Sequence, residues 1–254
     1  MFLAIDIGNT NIVLGVFVGE KLISSCRVST RKDSLADEYA VLFNNMLSLK
    51  GINPGGIRNC VISSVVPKLT NRIKEAVEKI SVAAPIVVAA GIKTGINIMI
   101  DNPAQLGSDM VANAAGVIVR YQLPVIVIDL GTAMTFSVID ENRTFLGGVI
   151  TAGVRTSLDA LTAHTSQLPD INIEAPATVI GKNTVDSMKS GTVFGAASLI
   201  DGMVKRISAE QGREFNVVAT GGMSEYIIPH CKTEIKVDPD LMLYGLFEIF
   251  NRNL

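Results

Sequence analysis

FLAIDIGNTNIVLGVFV, residues 2–18, holds two apolar runs separated by a polar turn around Gly8-Asn9-Thr10, with Asp6 one residue before the first run ends. Runs of this length, rich in Ile, Val and Phe and broken by Gly and Asn, read as paired strands. A second turn, Gly19-Glu20-Lys21, leads into LISSCRV and completes a three-stranded meander. The same order returns later. VIVID ends at Asp129, Leu130-Gly131-Thr132 turns, TFSVID follows, Glu141-Asn142-Arg143 turns, and FLGGVI closes. Asp6-Ile7-Gly8-Asn9 lines up with Asp129-Leu130-Gly131-Thr132. A repeat spanning about half the chain is longer than the roughly 20–50-residue units of solenoids. The sequence therefore predicts two similar lobes, residues 1–118 and 119–254.

Between and after the meanders, helical spacing of apolar residues predicts helices at Asp37 to Leu49, Asn71 to Ile80, 154–167, 184–206 and 241–252. Short strands are expected at Cys60-Val66, Pro85-Val88 and Phe215-Thr220. Strands alternating with helices give an α/β class.

Composition narrows the function. The chain has 254 residues, 48% hydrophobic and 18% charged, and 22 Lys and Arg against 24 Asp and Glu leave a formal charge of −2. That balance lacks the basic excess of a non-specific nucleic-acid binder, so a small-molecule ligand is expected and a nucleic-acid partner is not. Three widely spaced cysteines, Cys26, Cys60 and Cys231, suit reduced thiols rather than a disulfide framework. The apolar N-terminus has no basic leader and is cut by Asp6, so neither a signal peptide nor a membrane anchor is expected. The expected location is the cytoplasm.

In each lobe an aspartate at the end of a strand precedes a glycine and a small polar residue. Such a turn can be an ordinary hairpin. Glycine also permits close backbone approach, so turn N–H groups can face phosphate oxygens while the carboxylate holds a cation. Duplication inside matched meanders favours the second reading: two turns gripping one nucleoside triphosphate. Ala219-Thr220-Gly221-Gly222 adds paired glycines against which a purine and ribose could lie. No P-loop and no G-x-G-x-x-G following a strand is present.

Gly107-Ser108-Asp109 precedes the periodic run MVANAAGVIVRY, which makes Ser108 a candidate N-cap and Asp109 a first-turn residue. Asp109 then complements the helix dipole, or it accepts a proton from a substrate hydroxyl during phosphoryl transfer. The dipole is expected to favour its ionised form, which would make it a weak base.

Taken together, Asp6-Ile-Gly-Asn-Thr-Asn, Ile62-Ser-Ser-Val-Val-Pro67, Gly91-Ile-Lys-Thr-Gly95, Asn102-Pro103, Gly107-Ser-Asp109, Asp129-Leu-Gly-Thr-Ala133, Gly147-Gly-Val-Ile-Thr151, Gly181-Lys-Asn-Thr184 and Thr220-Gly-Gly222 resemble the type III pantothenate kinases in order and spacing. The resemblance runs nearly end to end. It implies an actin-like fold of duplicated ribonuclease H-like lobes, each a mixed sheet flanked by helices. It implies ATP-dependent phosphorylation of the primary hydroxyl of pantothenate, the first step of coenzyme A biosynthesis, by a homodimer with its active site near the subunit interface. It further implies that Asp6, Ile7, Gly8, Asn9, Thr10, Asn11, Ile12, Val13 and Thr132 bind ATP. Asp6 would lie near Mg2+, through phosphate or water, and Asp129 would hold K+ or NH4+. Asp109 matches the proton acceptor. Ile100, Gly107, Ser108, Asp109, Met110 and Thr184 stand at substrate-contacting positions.

Three residues depart from the family's usual pattern. Met110 replaces an arginine, Ile100 a tyrosine, and Met134 a threonine. An arginine supplies paired donors suited to a carboxylate, which a thioether does not. Arg155 and Lys93 are nearby cations that could replace it. The departures keep open a paralogous kinase for another hydroxylated acceptor, or a non-catalytic nucleotide-binding accessory protein.

Overall fold

The structure is a computed structural model describing residues Met1–Leu254. In chain order the elements are β1 (Phe2–Ile7), β2 (Asn11–Val18), β3 (Lys21–Ser29), α1 (Ala36–Leu49), β4 (Asn59–Ser64), α2 (Pro67–Ile80), β5 (Pro85–Val87), β6 (Asn97–Ile98) and α3 (Ser108–Arg120). There follow β7 (Val125–Leu130), β8 (Ala133–Ile139), β9 (Thr144–Ala152), α4 (Val154–Ala163), α5 (Thr184–Gln211), β10 (Asn216–Thr220), α6 (Ser224–Ile227), β11 (Lys236–Val237) and α7 (Leu241–Asn251). Short 3₁₀ turns join several of these.

The chain forms two compact units. The first comprises Met1–Ile96, Asp101–Arg120 and Leu241–Leu254, and the second Asn97–Ile100 and Tyr121–Asp240. This division differs from the expected second lobe of residues 119–254: Leu241–Leu254 falls in the first unit, where α7 packs on α3.

In the first unit the sheet order is β3-β2-β1-β4-β5. β1 lies at its centre, antiparallel to β2 and parallel to β4, and every residue of FLAIDI is buried. That accounts for an unbroken apolar run where a half-exposed strand would alternate. β3 is an edge strand and alternates exposed and half-buried residues along its length. Leu3, Ile5, Leu14, Phe43, Ile62 and Ile73 belong to the core formed with α1 and α2. Pro67 starts α2, where its missing N–H costs nothing.

α3 packs on α7 at a crossing of glycines. A Cβ on Gly245 would overlap the Ala112 carbonyl oxygen, and one on Gly116 would overlap that of Leu241. Leu241, Leu246 and Ile249 on α7 are fully buried. The chain's end also ties down the 91–95 loop: Asn253 Oδ1 accepts from Lys93 N at 3.2 Å and its Nδ2 donates to Lys93 O at 2.8 Å.

The second unit repeats the pattern. Its sheet runs β11-β10-β7-β8-β9-β6, so β9-β8-β7-β10-β11 reproduces the order of the first sheet. β7 to β9 form the antiparallel meander and β10 is parallel to β7. The sixth strand, β6, pairs with β9 through only Asn97↔Thr144 and Ile98↔Phe145. Two residues give no readable period, so the sequence did not announce it.

Helix ends differ modestly from expectation. α4 stops at Ala163, with His164 as its C-cap, rather than running to 167. α5 continues to Gln211, where Gly212 takes φ 65°, the left-handed conformation that ends helices cheaply. None of the helices is long and apolar enough to cross a membrane.

Candidate active site

Asp6 sits in the β1 ladder opposite Val13 on β2 and Ser63 on β4. Asp129 occupies the matching place in the second unit, opposite Thr135 on β8 and Thr220 on β10. Each acid therefore stands at the end of a central strand with a hydroxyl residue beside it on the parallel neighbour. Position in the sheet, not only in the sequence, is duplicated.

The turn after Asp6 closes through Gly8 N, which donates to Asn11 O at 2.9 Å. A Cβ on Gly8 would stand 3.0 Å from that oxygen, so the turn is drawn tight around a glycine. Ile7 and Ile12 are fully buried and can present only backbone atoms to a ligand. Asn9 and Thr10 are exposed at the tip.

In the second unit the turn Gly131-Thr132 is held by Gly131 N donating to Ala133 O at 3.1 Å. The Thr220-Gly221-Gly222 segment packs against it. Gly221 has φ 91°, and a Cβ there would lie 2.5 Å from Asp129 Oδ1 and 2.7 Å from Leu130 backbone atoms. Gly153 approaches from the other side, where a Cβ would lie 2.6 Å from Thr132 O. These glycines let the 153 and 221 segments pack closely on the turn that follows Asp129.

No group of three or more His, Cys, Asp or Glu is arranged to hold a metal ion. Single carboxylates at Asp6 and Asp129 fit cations that take most of their ligands from phosphate oxygens, carbonyls and water, as Mg2+ does at nucleotide sites. They do not make an all-protein cage.

α3 begins at Ser108, but Ser108 does not cap it. Its hydroxyl accepts from Ser63 Oγ at 3.0 Å and from Ser64 N at 3.1 Å, and donates to Ser64 O at 3.1 Å. The expected N-cap is therefore a clasp between α3 and the end of β4. Sequence reasoning missed Ser63 and Ser64 as its partners because they lie 45 and 44 residues away. Ser64 Oγ in turn accepts from Thr70 Oγ1 at 2.8 Å and Val66 N at 3.2 Å, which fixes the start of α2 to the same point.

Asp109 follows immediately. Its Oδ1 accepts from Met110 N at 2.7 Å and would overlap a Cβ on Gly107, so a side chain at 107 would push this carboxylate aside. Burial pushes the Asp109 carboxyl above the ordinary range, outweighing the backbone N–H of Met110 that pulls it down. This reverses the expectation from the helix dipole: desolvation of the charged form wins. A raised carboxyl is a better proton acceptor than a dipole-stabilised one. Met110 is half-buried beside it, as Gly107 and Ser108 are.

Thr184 opens α5, whose N-terminus is capped by Asn183 Oδ1 accepting from Asp186 N at 2.9 Å. It lines a cleft of about 820 Å³ within the second unit, together with Met134, Val154, Leu158 and Met188. Met134 is 2% exposed and forms part of the cleft wall, so the replacement of a threonine there makes the wall more apolar. Ile100 is half-buried in the same unit.

Arg155, considered as a substitute for the absent arginine, is already engaged. Its Nε lies 2.8 Å from Asp159 and its Nη2 3.5 Å from Asp170. The cysteines are poor nucleophiles: burial raises Cys26 and Cys60, and burial with the Asp201 charge pushes Cys231 up to about 12. His230 packs edge-on against Phe194, ring centroids 5.4 Å apart.

The family model described as type III pantothenate kinase matches residues 2–206. A type III pantothenate kinase of Dehalococcoides mccartyi is 42% identical over 250 residues, covering 98% of this chain and 97% of the relative. One from an Exiguobacterium species is 40% identical over 253 residues, covering 100% and 99%. Among solved structures, component A of the (R)-2-hydroxyglutaryl-CoA dehydratase of Acidaminococcus fermentans superposes with a TM-score of 0.57 at 14% identity, covering 98% of this chain and 95% of that one. That likeness concerns the fold alone, the duplicated actin-like one.

Proposed function

Since the chain belongs to the type III pantothenate kinase family, a group of ATP-using phosphotransferases, we propose that it phosphorylates pantothenate with Asp109 as the proton acceptor. Another acceptor or a non-catalytic role is not favoured, because relatives about 40% identical along essentially the whole chain carry the same name. The observation that carries the role of Asp109 is its burial at the clasped start of α3, which raises its affinity for a proton.

Phosphoryl transfer depends more on positioning and charge neutralisation than on covalent chemistry by the protein. In this reading the turn from Asp6 to Val13 and Thr132 hold the triphosphate through backbone N–H and hydroxyl groups. Asp6 would organise Mg2+ through phosphate or water and Asp129 would hold K+ or NH4+, ions that would supply positive charge against the developing charge on the γ-phosphoryl group. Asp109 takes the proton of the primary hydroxyl as its oxygen bonds to phosphorus and the bond to the β-phosphate oxygen breaks. Gly107, Ser108, Ile100, Met110 and Thr184 shape the acceptor site. A homodimer with its active site near the interface, working in the cytoplasm at the first step of coenzyme A biosynthesis, completes the proposal.

The test is turnover of purified protein with ATP, Mg2+ and K+, with and without pantothenate. Transfer only when pantothenate is present supports the reading. Nucleotide binding without transfer to pantothenate would sink it.

A further inference from the structure

A single hydrogen-bonded arrangement recurs behind both acidic turns. In the first unit the residue that follows β3, Thr30, donates its backbone N–H to Thr10 O at 2.9 Å, and Thr10 is the residue that precedes β2. In the second, the residue that follows β9, Gly153, donates its N–H to Thr132 O at 3.0 Å, and Thr132 precedes β8. Each backbone bond is joined by a threonine hydroxyl. Thr30 Oγ1 donates to Gly8 O at 2.7 Å, and Thr156 Oγ1, in the first turn of α4, donates to Thr132 O at 2.7 Å.

From this we infer that Thr30 and Thr156 are a duplicated pair of positioning residues, each of which aims the backbone amides of its own turn at phosphate. The inference rests on the kinase reading above and deepens it.

The physical reason lies in the peptide unit. It is planar and trans, so the N–H of each unit points opposite to its carbonyl. Tying Gly8 O and Thr10 O to Thr30 directs the N–H groups of Asn9 and Asn11 to the other side. Tying Thr132 O to Gly153 and Thr156 does the same for the N–H of Ala133. A carbonyl left to rotate toward an anion would repel it, whereas a fixed N–H attracts it. Donors aimed in advance cost no reorganisation when the phosphate arrives.

The first clamp is itself anchored. Tyr39, 1% exposed in the core, donates its hydroxyl to Arg31 O at 2.8 Å and accepts from Arg31 N at 2.9 Å. Arg72 Nη1 donates to Lys32 O at 3.1 Å and to Ser34 O at 3.0 Å. The strap 30–34 is thus held along its length, so Thr30 cannot follow the turn if the turn moves. The second clamp is anchored by α4, and Gly153 is required for its close approach to the Thr132 carbonyl.

The experiment uses the full chain with Thr30→Val and Thr156→Val, which keep side-chain shape and remove the hydroxyl, and with Thr→Ser at each site, which restores it. Calorimetric titration measures ATP with Mg2+ and, as a probe lacking phosphate, adenosine; steady-state assays give KM for ATP and for pantothenate. Each valine variant is expected to weaken ATP binding about tenfold, the order of one hydrogen bond to a charged group, with adenosine binding and KM for pantothenate unchanged. Serine should return ATP binding to within about twofold of the parent. Valine variants that bind ATP like the parent overturn the inference, as does an equal loss for adenosine or a serine variant no better than valine. Should valine unfold the chain at either site, Thr→Ala takes its place under the same criteria. Failure of the kinase reading is separable, because it appears as a parent protein that does not transfer phosphate to pantothenate.

Discussion

Ser63 donates its hydroxyl to that of Ser108 across 3.0 Å, joining the strand that neighbours Asp6 to the helical turn that carries Asp109. Ser63 is fully buried, so the donor has no water to fall back on. Ser108→Ala removes this acceptor and both bonds to the Ser64 backbone. The variant is expected to lose about 1–3 kcal/mol of stability, seen as a lower melting temperature. Its kcat should fall more than its KM for ATP, because α3 is released while the Asp6 turn is untouched.

Asp109→Asn should cut kcat by about 10²- to 10⁴-fold, the usual contribution of a general base, with ATP binding nearly unchanged in a titration. A variant that keeps full activity would remove Asp109 from the mechanism.

The raised Asp109 carboxyl also sets two pH dependences. Activity in the parent should fall as pH drops through the raised value, so the acid limb of kcat/KM lies above the range of an ordinary aspartate. Stability moves the other way. Between the unfolded value and the raised folded value the native state binds more protons, so stability declines as pH rises through that window. Asp109→Asn is therefore expected to melt higher than the parent at neutral pH, and the difference should vanish below the ordinary aspartate value. Melting curves across pH measure this, and a difference that grows on acidification would contradict it.

Gly221→Ala places a Cβ 2.5 Å from Asp129 Oδ1 at a residue with φ 91°. Displacing that carboxylate should raise the K+ concentration needed for half-maximal activity. Unchanged K+ activation would argue against Asp129 as the ion's ligand.

Met110→Arg restores the paired donors that the family usually carries. A charged hydrogen bond is worth roughly 1.5–3 kcal/mol, so KM for pantothenate should fall by about one to two decades. No change would mean that the acceptor's carboxylate is held elsewhere.

Gly245→Ala drives a Cβ into the Ala112 carbonyl at the α3–α7 crossing. Overpacking of this kind costs about 1–3 kcal/mol, which thermal unfolding should register as a drop of several degrees, with activity per folded molecule little changed.

The two meanders were legible because their signal is local. Apolar runs, glycine turns and the repeated Asp-x-Gly spacing define β1 to β3 and β7 to β9 nearly to the residue. The two-residue strand β6 was not legible, since it exists only as a partner for β9. Apolar spacing predicts α5 only to residue 206, five residues short of Gln211, because that spacing weakens before the helix does; Gly212 sets the actual stop.

By itself the sequence settled the α/β class, the duplicated acidic turns and the family to which their order belongs. Tertiary structure decided that α7 completes the first unit, that Ser108 clasps β4 rather than capping its own helix, and that Asp109 holds its proton more tightly than the dipole alone would allow. Periodicity and turn chemistry act over a few residues, whereas a hydrogen bond 44 residues long in sequence and the desolvation of a carboxylate are set by whatever the fold brings alongside.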